Sequence, residues 1–199
     1  MFISFEGPEG AGKSTLISKL SDQLQASGRD VLTTREPGAG EFGKAIRKLL
    51  LEGDTIPPLS ELFLFLADRA NHVENVIQPA LDQGNIVLCD RHADSTIVYQ
   101  GYARGLNLQF LREANLQATK GLRPDLILLL DLDPQIGLSR QTKQDRLDLE
   151  SLDFHQKVRA GFLEEAKREP ARWHKINAAQ SSEEVFLNAW TAISAKLNP

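Results

Sequence analysis

The chain has 199 residues, 41% of them hydrophobic, with 14 glycines and 27 acidic against 23 basic side chains, a formal charge of −4. That composition is globular and excludes a disordered chain, and the slight acidity excludes a non-specific nucleic-acid binder, whose footprint is basic. The single cysteine, Cys89, leaves no intramolecular disulfide to form, and at this length a core closes without metals or cross-links.

Residues 1–5 carry no basic segment and no long apolar run, so no signal peptide is expected there. The longest apolar run, residues 62–67, is far short of the roughly 20 residues that a membrane span requires. A cytoplasmic protein without membrane contact is the expectation.

In chain order, residues 2–5 read as a first strand, and a helix begins near Lys13, where Leu16, Leu20 and Leu24 repeat every four residues until Gly28 stops it. Residues 31–33 read as a second strand. The segment 60–83 opens with Leu62, Phe63, Leu64, Phe65 and Leu66, apolar on every side of a helix, which predicts either a central core helix or one covered by a partner. Residues 86–89 and 126–130 are further strands; Asp133-Pro134 is an N-cap followed by proline at the first helical position. A weak fifth strand spans 173–177. Ser181 with Glu184 forms a capping box before an amphipathic helix carrying Val185, Phe186, Ala189, Trp190 and Ile193.

Strands alternating with helices predict an α/β fold with a parallel sheet covered on both faces. No repeat or linker interrupts it. Pro57-Pro58 is the strongest break, yet it leaves too little chain on its N-terminal side to close a core, so residues 1–199 read as one domain.

Gly7-Pro8-Glu9-Gly10-Ala11-Gly12-Lys13-Ser14 fits G-x-x-x-x-G-K-[ST], with Thr15 behind it, a strand before it and a helix after it. Glycines let the loop curl with its N–H groups inward, and the helix N-terminus adds positive potential where phosphate oxygens sit. Lys13 is placed to hold β- and γ-phosphates, and the Ser14 hydroxyl is suited to Mg²⁺. Thr142-Lys143-Gln144-Asp145 resembles a guanine-reading element, but it does not come directly off a strand end. No D-x-x-G segment is present to sense a γ-phosphate, so a guanine-nucleotide switch is disfavoured.

Arg35 follows the second strand and Asp90-Arg91 the third, beyond the carboxyl ends of the strands, where open α/β sheets gather ligands; Arg69 lies on the helix between them. Arg140, Lys143 and Arg146 follow the fourth strand. So many cations beside a lysine and a metal imply an acceptor that is itself anionic, and a mobile segment covering the transferred group.

These residues together resemble bacterial thymidylate kinases, P-loop nucleoside-monophosphate kinases, from Phe2 to at least Ala178. The likeness rests on FEGPEGAGKS, TREPG, Phe65 with Ala67-Asp68-Arg69, CDRHADSTIVYQGYARGL, RPDLILLLD and Asp145-Arg146. It implies a P-loop kinase fold, three-layer α/β/α with a five-stranded parallel sheet and a short lid over about residues 139–150. It also implies a homodimer, and transfer of the γ-phosphoryl group of ATP to the 5′-phosphate of dTMP with Mg²⁺, giving dTDP for dTTP synthesis. By the same resemblance Phe65 stacks on thymine, Arg69 donates to O4, and Thr96 and Gln100 reach the base edge. Tyr99 crowds the ribose 2′ position, Glu9 accepts from the 3′-hydroxyl, Arg91 holds the acceptor phosphate with Arg35 close by, and Asp90 stands near the metal.

His92 stands where the family often has Tyr or Phe, Ala39-Gly40 replaces Gly-Thr, the lid is short, and Ala11 leaves the P-loop without an arginine. The charge stabiliser is then expected from Arg146 or Arg140, ahead of Lys143. Asp131 reads as a turn or N-cap residue, His72, His155 and His174 as surface residues, Cys89 as a buried small hydrophobe, and Trp173 and Trp190 as packing. Two alternatives remain at this level: a deoxynucleoside kinase with Glu36 as base, and a nucleotide-binding module without catalysis.

Overall fold

The protein is described by a computed structural model over residues 1–52, 55–141 and 145–197. Strands β1 (Phe2–Glu6), β2 (Val31–Arg35), β3 (Ile86–Asp90), β4 (Leu126–Asp131) and β5 (Trp173–Asn177) form a parallel sheet in the order β2-β3-β1-β4-β5. The three central strands are nearly continuous apolar runs because both of their faces are covered, whereas the edge strands β2 and β5 are only half-buried.

On one face, Leu16, Leu20 and Leu24 of α1 (Lys13–Ala26) and Val185, Ala189 and Ile193 of α9 (Ser182–Leu197) close over Ile3, Phe5, Leu128 and Leu130. On the other, Phe154, Val158 and Phe162 of α8 (Leu152–Arg168) pack with Val98 and Tyr99 against Ile127 and Leu129. Alternate residues of each central strand thus serve the two layers. Gly28 ends α1 in the left-handed region at φ 78°, Asp133 caps α7 (Pro134–Ser139) by accepting from the Gln135 N–H, and Ser181 and Glu184 exchange capping bonds.

The remaining helices are α2 (Gly40–Leu51), α3 (Pro58–His72), α4 (Gln78–Asp82), α5 (Ala93–Thr96) and α6 (Leu108–Ala118). π-helical stretches cover Val73–Ile77 and Ile97–Ala103, so the segment expected as one helix over 60–83 is α3, a π-turn and α4.

Nor is α3 a central core helix. It buries Glu61, Leu62, Asp68, Arg69 and His72 and leaves Phe63 53% exposed, because its charged side chains are needed inside. His72 and His155, expected at the surface, are fully buried; His72 sits between Glu36 and Thr34. Asp131 is neither cap nor turn residue but holds Arg159 at 2.7 Å. Cys89 is buried as expected. No helix among the described residues is long and apolar enough to cross a membrane.

Candidate active site

Every strand facing the site runs a residue or two past its apolar run, and the added residues are polar: Glu6 on β1, Thr34 and Arg35 on β2, Asp90 on β3. Parallel register places Arg35 opposite Asp90 and Asp90 opposite Phe5, so the carboxyl ends of three strands form one polar rim below the loop of residues 7–14.

The loop itself is set by close backbone approach. Gly10 is at φ 67°, and a β-carbon there would lie 2.0 Å from the Gly137 carbonyl oxygen; one on Gly137 would lie 2.1 Å from that of Glu9. Both positions therefore need glycine, and α7 is the wall against which the loop folds. Gly12 caps α1, pointing the helix N-terminus into the cradle. The Lys13 ammonium is buried and donates to the carbonyls of Gly7 and Pro8 at 3.1 and 2.9 Å. Burial and the neighbouring Arg91 lower it to about 8.

Two cavities adjoin here. The first, about 570 Å³, is lined by residues 9–15 together with Arg35, Asp90, Arg91, Arg140 and Gln141. The second is lined by Phe65, Arg69, Ser95, Thr96, Tyr99 and Gln100. Glu9, Glu36, Arg47, Arg91 and Asp145 belong to both.

The junction is built around Arg91. Its guanidinium donates to the Gly7 carbonyl at 2.9 Å and to Glu9 Oε1 at 2.9 Å, while the Tyr99 hydroxyl donates to Glu9 Oε2 at 2.6 Å. Burial alone would raise the Glu9 carboxyl; Arg91, Lys13 and Tyr99 outweigh it and hold it below the usual range. Arg91 has φ 69°, a left-handed conformation that costs a non-glycine residue about 1–2 kcal/mol. It is pinned there: its N–H donates to the Phe5 carbonyl, its carbonyl accepts from the Cys89 thiol, and the next N–H, of His92, donates to Glu6. Glu6 also accepts from the Ser4 and Ser95 hydroxyls; burial, with Asp94 adding to it, pushes its carboxyl up to about 7.

All the residues expected to meet the acceptor, Glu9, Phe65, Arg69, Arg91, Thr96, Tyr99 and Gln100, border the second cavity, and Arg35 borders the first. Ser14 donates to Asp90 Oδ2 at 3.2 Å, and the other Asp90 oxygen is buried with no partner among the described residues. Arg140 reaches the Gly10 carbonyl at 3.4 Å. Arg146 does not come to the loop: Glu61 and the Leu50 carbonyl engage its guanidinium. Lys143, with Thr142 and Gln144, lies outside the described residues.

Glu36 is spoken for. It accepts from Arg69 Nε at 2.8 Å, and the Nδ1 atoms of His72 and His92 lie 2.9 and 3.0 Å from its other oxygen. Burial would raise it, but Arg69 and the two rings hold it well below the usual range, which makes it a poor acceptor for a hydroxyl proton.

Sequence reasoning missed Arg47, which lines both cavities and donates to the Pro37 carbonyl. Its signal was available: it follows Gly43 by one turn on the buried face of α2. Glu61, Asn115 and Glu6 were also missed, being second-row carboxyl and amide groups that touch other side chains.

Residues 5–188 match the family described as Thymidylate kinase. A thymidylate kinase of Desulfovibrio desulfuricans is 52% identical, covering 99% of this chain and 96% of its own. One from Deinococcus radiodurans is 44% identical over 98% of this chain and 97% of its own. The crystal structure of thymidylate kinase from Ehrlichia chaffeensis superposes with a TM-score of 0.81 at 33% identity, covering 97% of this chain and 98% of that one.

Two outcomes follow from this geometry. Gly137→Ala removes no functional group but pushes Glu9 and the loop aside, so kcat/KM for the triphosphate falls on the order of tenfold or more, read by steady-state kinetics. For Glu6, the folded group titrates near 7 against an ordinary 4.5, so the folded state binds the extra proton and stability drains away as pH rises through that window. Glu6→Gln abolishes this. Urea unfolding at pH 5 and pH 8 should show the variant gaining about 2–3 kcal/mol on the wild type across the interval.

Proposed function

The chain belongs to the thymidylate kinase family and phosphorylates dTMP to dTDP with ATP as donor; from that premise we propose how its own residues divide the work. The carrying observation is that the phosphate cradle and the base cavity share Arg91 and Glu9, so that a donor in one meets an acceptor from the other at a guanidinium.

In this reading the loop N–H groups, Lys13 and Thr15 hold the ATP phosphates, and Arg91 with Arg47 and Arg35 receives the dTMP phosphate. That phosphate is already ionised at pH 7, so no general base is called for, and rate comes from alignment and charge stabilisation. Phe65 stacks on thymine, Arg69, Thr96 and Gln100 face its edge, and Glu9 with Tyr99 meets the deoxyribose. Arg140 is the described arginine that reaches the loop from the segment at about 139–150, which we assign as the lid of a single kinase domain.

The pair Ser14 and Asp90 fits Mg²⁺: a hydroxyl beside a carboxylate whose second oxygen has no partner among the described residues is a hard-oxygen set, and Mg²⁺ keeps several waters in such sites. Held there, the metal would neutralise negative charge on the nucleotide's phosphate groups.

The deoxynucleoside kinase alternative is disfavoured by Glu36, whose oxygens are engaged by one guanidinium and two imidazoles. The buried thiol of Cys89 suits the cytoplasm.

We also infer a homodimer. Phe42 and Leu49 on α2, Leu59 and Phe63 on α3 and Phe110 on α6 are all 43% or more exposed, and α2 packs on α3 and α3 on α6. An apolar face of that kind on neighbouring helices marks an interaction surface.

An ADP-release assay over a panel of nucleoside monophosphates should show ATP consumption dependent on dTMP and abolished by chelating Mg²⁺; release that is indifferent to the acceptor would refute the reading. Lys13→Ala should lower kcat by about 10²–10³, the scale for losing a charge-stabilising group. In sedimentation velocity, wild type should run as a dimer at micromolar concentration and Phe63→Asp as a monomer.

A further inference from the structure

Glu61 lies on α3, fully buried, and carries four hydrogen bonds on two oxygens. Oε1 accepts from Gln100 Nε2 at 2.9 Å and from Arg104 Nε at 3.1 Å; Oε2 accepts from Arg104 Nη2 at 3.3 Å and from Arg146 Nη2. Burial would raise this carboxyl, but the hydrogen bonds from Arg104, Arg146 and Gln100 prevail and keep it below the usual range. It is therefore ionised and can only accept.

That settles which way the Gln100 amide points. The nitrogen must face Glu61, so the carbonyl oxygen is left for the cavity that Gln100 lines, and no partner for that oxygen is present among the described residues. Arg69, on the same wall, spends four of its five N–H groups on Glu36, Thr96, Asn115 and the His92 carbonyl, leaving one Nη2 N–H. The cavity thus offers an acceptor and a donor beside the Phe65 ring. Thymine presents the complement, a donor at N3–H and an acceptor at O4. Cytosine presents the reverse, an acceptor at N3 and a donor at its 4-amino group.

We propose that Glu61 is a positioning residue for base selection: by holding the Gln100 amide nitrogen it fixes the carbonyl toward the base, so that the cavity admits a 4-keto pyrimidine and rejects a 4-amino one. Glu61 is out of reach of the ligand and acts through Gln100. The inference rests on the reading of this cavity as the dTMP site.

The test compares kcat/KM for dTMP, dUMP and dCMP in the full-length wild type, Glu61→Gln and Glu61→Asp. Glu61→Gln has one carbonyl oxygen for four donors, so Gln100 turns to accept from the new amide and shows its own nitrogen to the base. The dTMP:dCMP ratio should fall by roughly tenfold or more, because a site that misaligns its polar groups loses its power of rejection. Glu61→Asp keeps the charge for Arg104 and Arg146 but draws back from Gln100, and should lower the same ratio by roughly threefold or more. The dTMP:dUMP ratio and the KM for ATP should stay as in wild type, since dUMP shares the 4-keto edge and ATP binds elsewhere. A folded Glu61→Asp protein that keeps the wild-type dTMP:dCMP ratio, or that loses all three substrates equally, overturns the inference. Absence of dTMP preference in the wild type would instead overturn the reading of the cavity.

Discussion

The ion pair between Glu9 and Arg91 is the constraint on which the site depends. It joins a loop that leaves β1 to a residue that follows β3, and the parallel register of those strands puts the two ends side by side. The pair is mostly buried, with side-chain exposures of 11% for Glu9 and 18% for Arg91, so each charge requires the other. Its geometry is not left to flexible side chains. Arg91 occupies a left-handed backbone conformation that three hydrogen bonds enforce, and Tyr99 fixes the second oxygen of Glu9. Strain of this kind, held by its surroundings, keeps a guanidinium in one place before any ligand arrives.

Behind the cations stands a second row made almost wholly of carboxylates. Glu36 holds Arg69, Asp90 meets Arg35, and Glu61 holds Arg104 and Arg146. The physical reason lies in the substrates. Two nucleotides bring several negative charges to one cleft, so the cleft must be cationic, and buried cations such as Arg69 could not be left unpaired without a prohibitive desolvation cost. Carboxylates beside Arg69 and Arg35 neutralise guanidinium groups that line the two cavities, whereas Arg104 and Arg146 border neither and serve to hold Glu61. Lys13 follows the same logic with carbonyl oxygens: its bonds to Gly7 and Pro8 are ones that a phosphate oxygen can replace.

This division explains what the sequence disclosed. The phosphate loop was legible because its chemistry is local: glycines, lysine and serine act through their own neighbours in the chain. The strands were legible to within a residue or two, and the shortfall was systematic, since Glu6, Arg35 and Asp90 extend the ladder at positions where hydrophobicity has ended. Most residues that border a cavity were found through their resemblance to a family pattern, Arg47 being an exception. Residues of the second row were not, because Glu61 meets Gln100 and Arg146 across 39 and 85 residues of chain. The same blindness produced the errors. Segment 60–83 was read by its leucines and phenylalanines, yet its inward face is chosen by Glu61, Asp68, Arg69 and His72, whose partners sit on other elements. His72 and His155 likewise looked like surface residues for want of visible partners.

Two distinct tasks converge on α3 as a result. Its inward face supports the second cavity through Arg69 and, by way of Glu61, the amide of Gln100, and its outward face leaves Leu59 and Phe63 exposed. An apolar outer face is an unusual burden for a helix whose inner face is charged, and it inverts the ordinary amphipathic arrangement. The inner face is satisfied by the guanidinium–carboxylate network, while the outer one keeps Leu59 and Phe63 exposed on this chain. The exposed apolar side chains and the wall of the second cavity thus lie on the two sides of a single helix about 10–12 Å across, and a shift of that helix at one surface must be felt at the other.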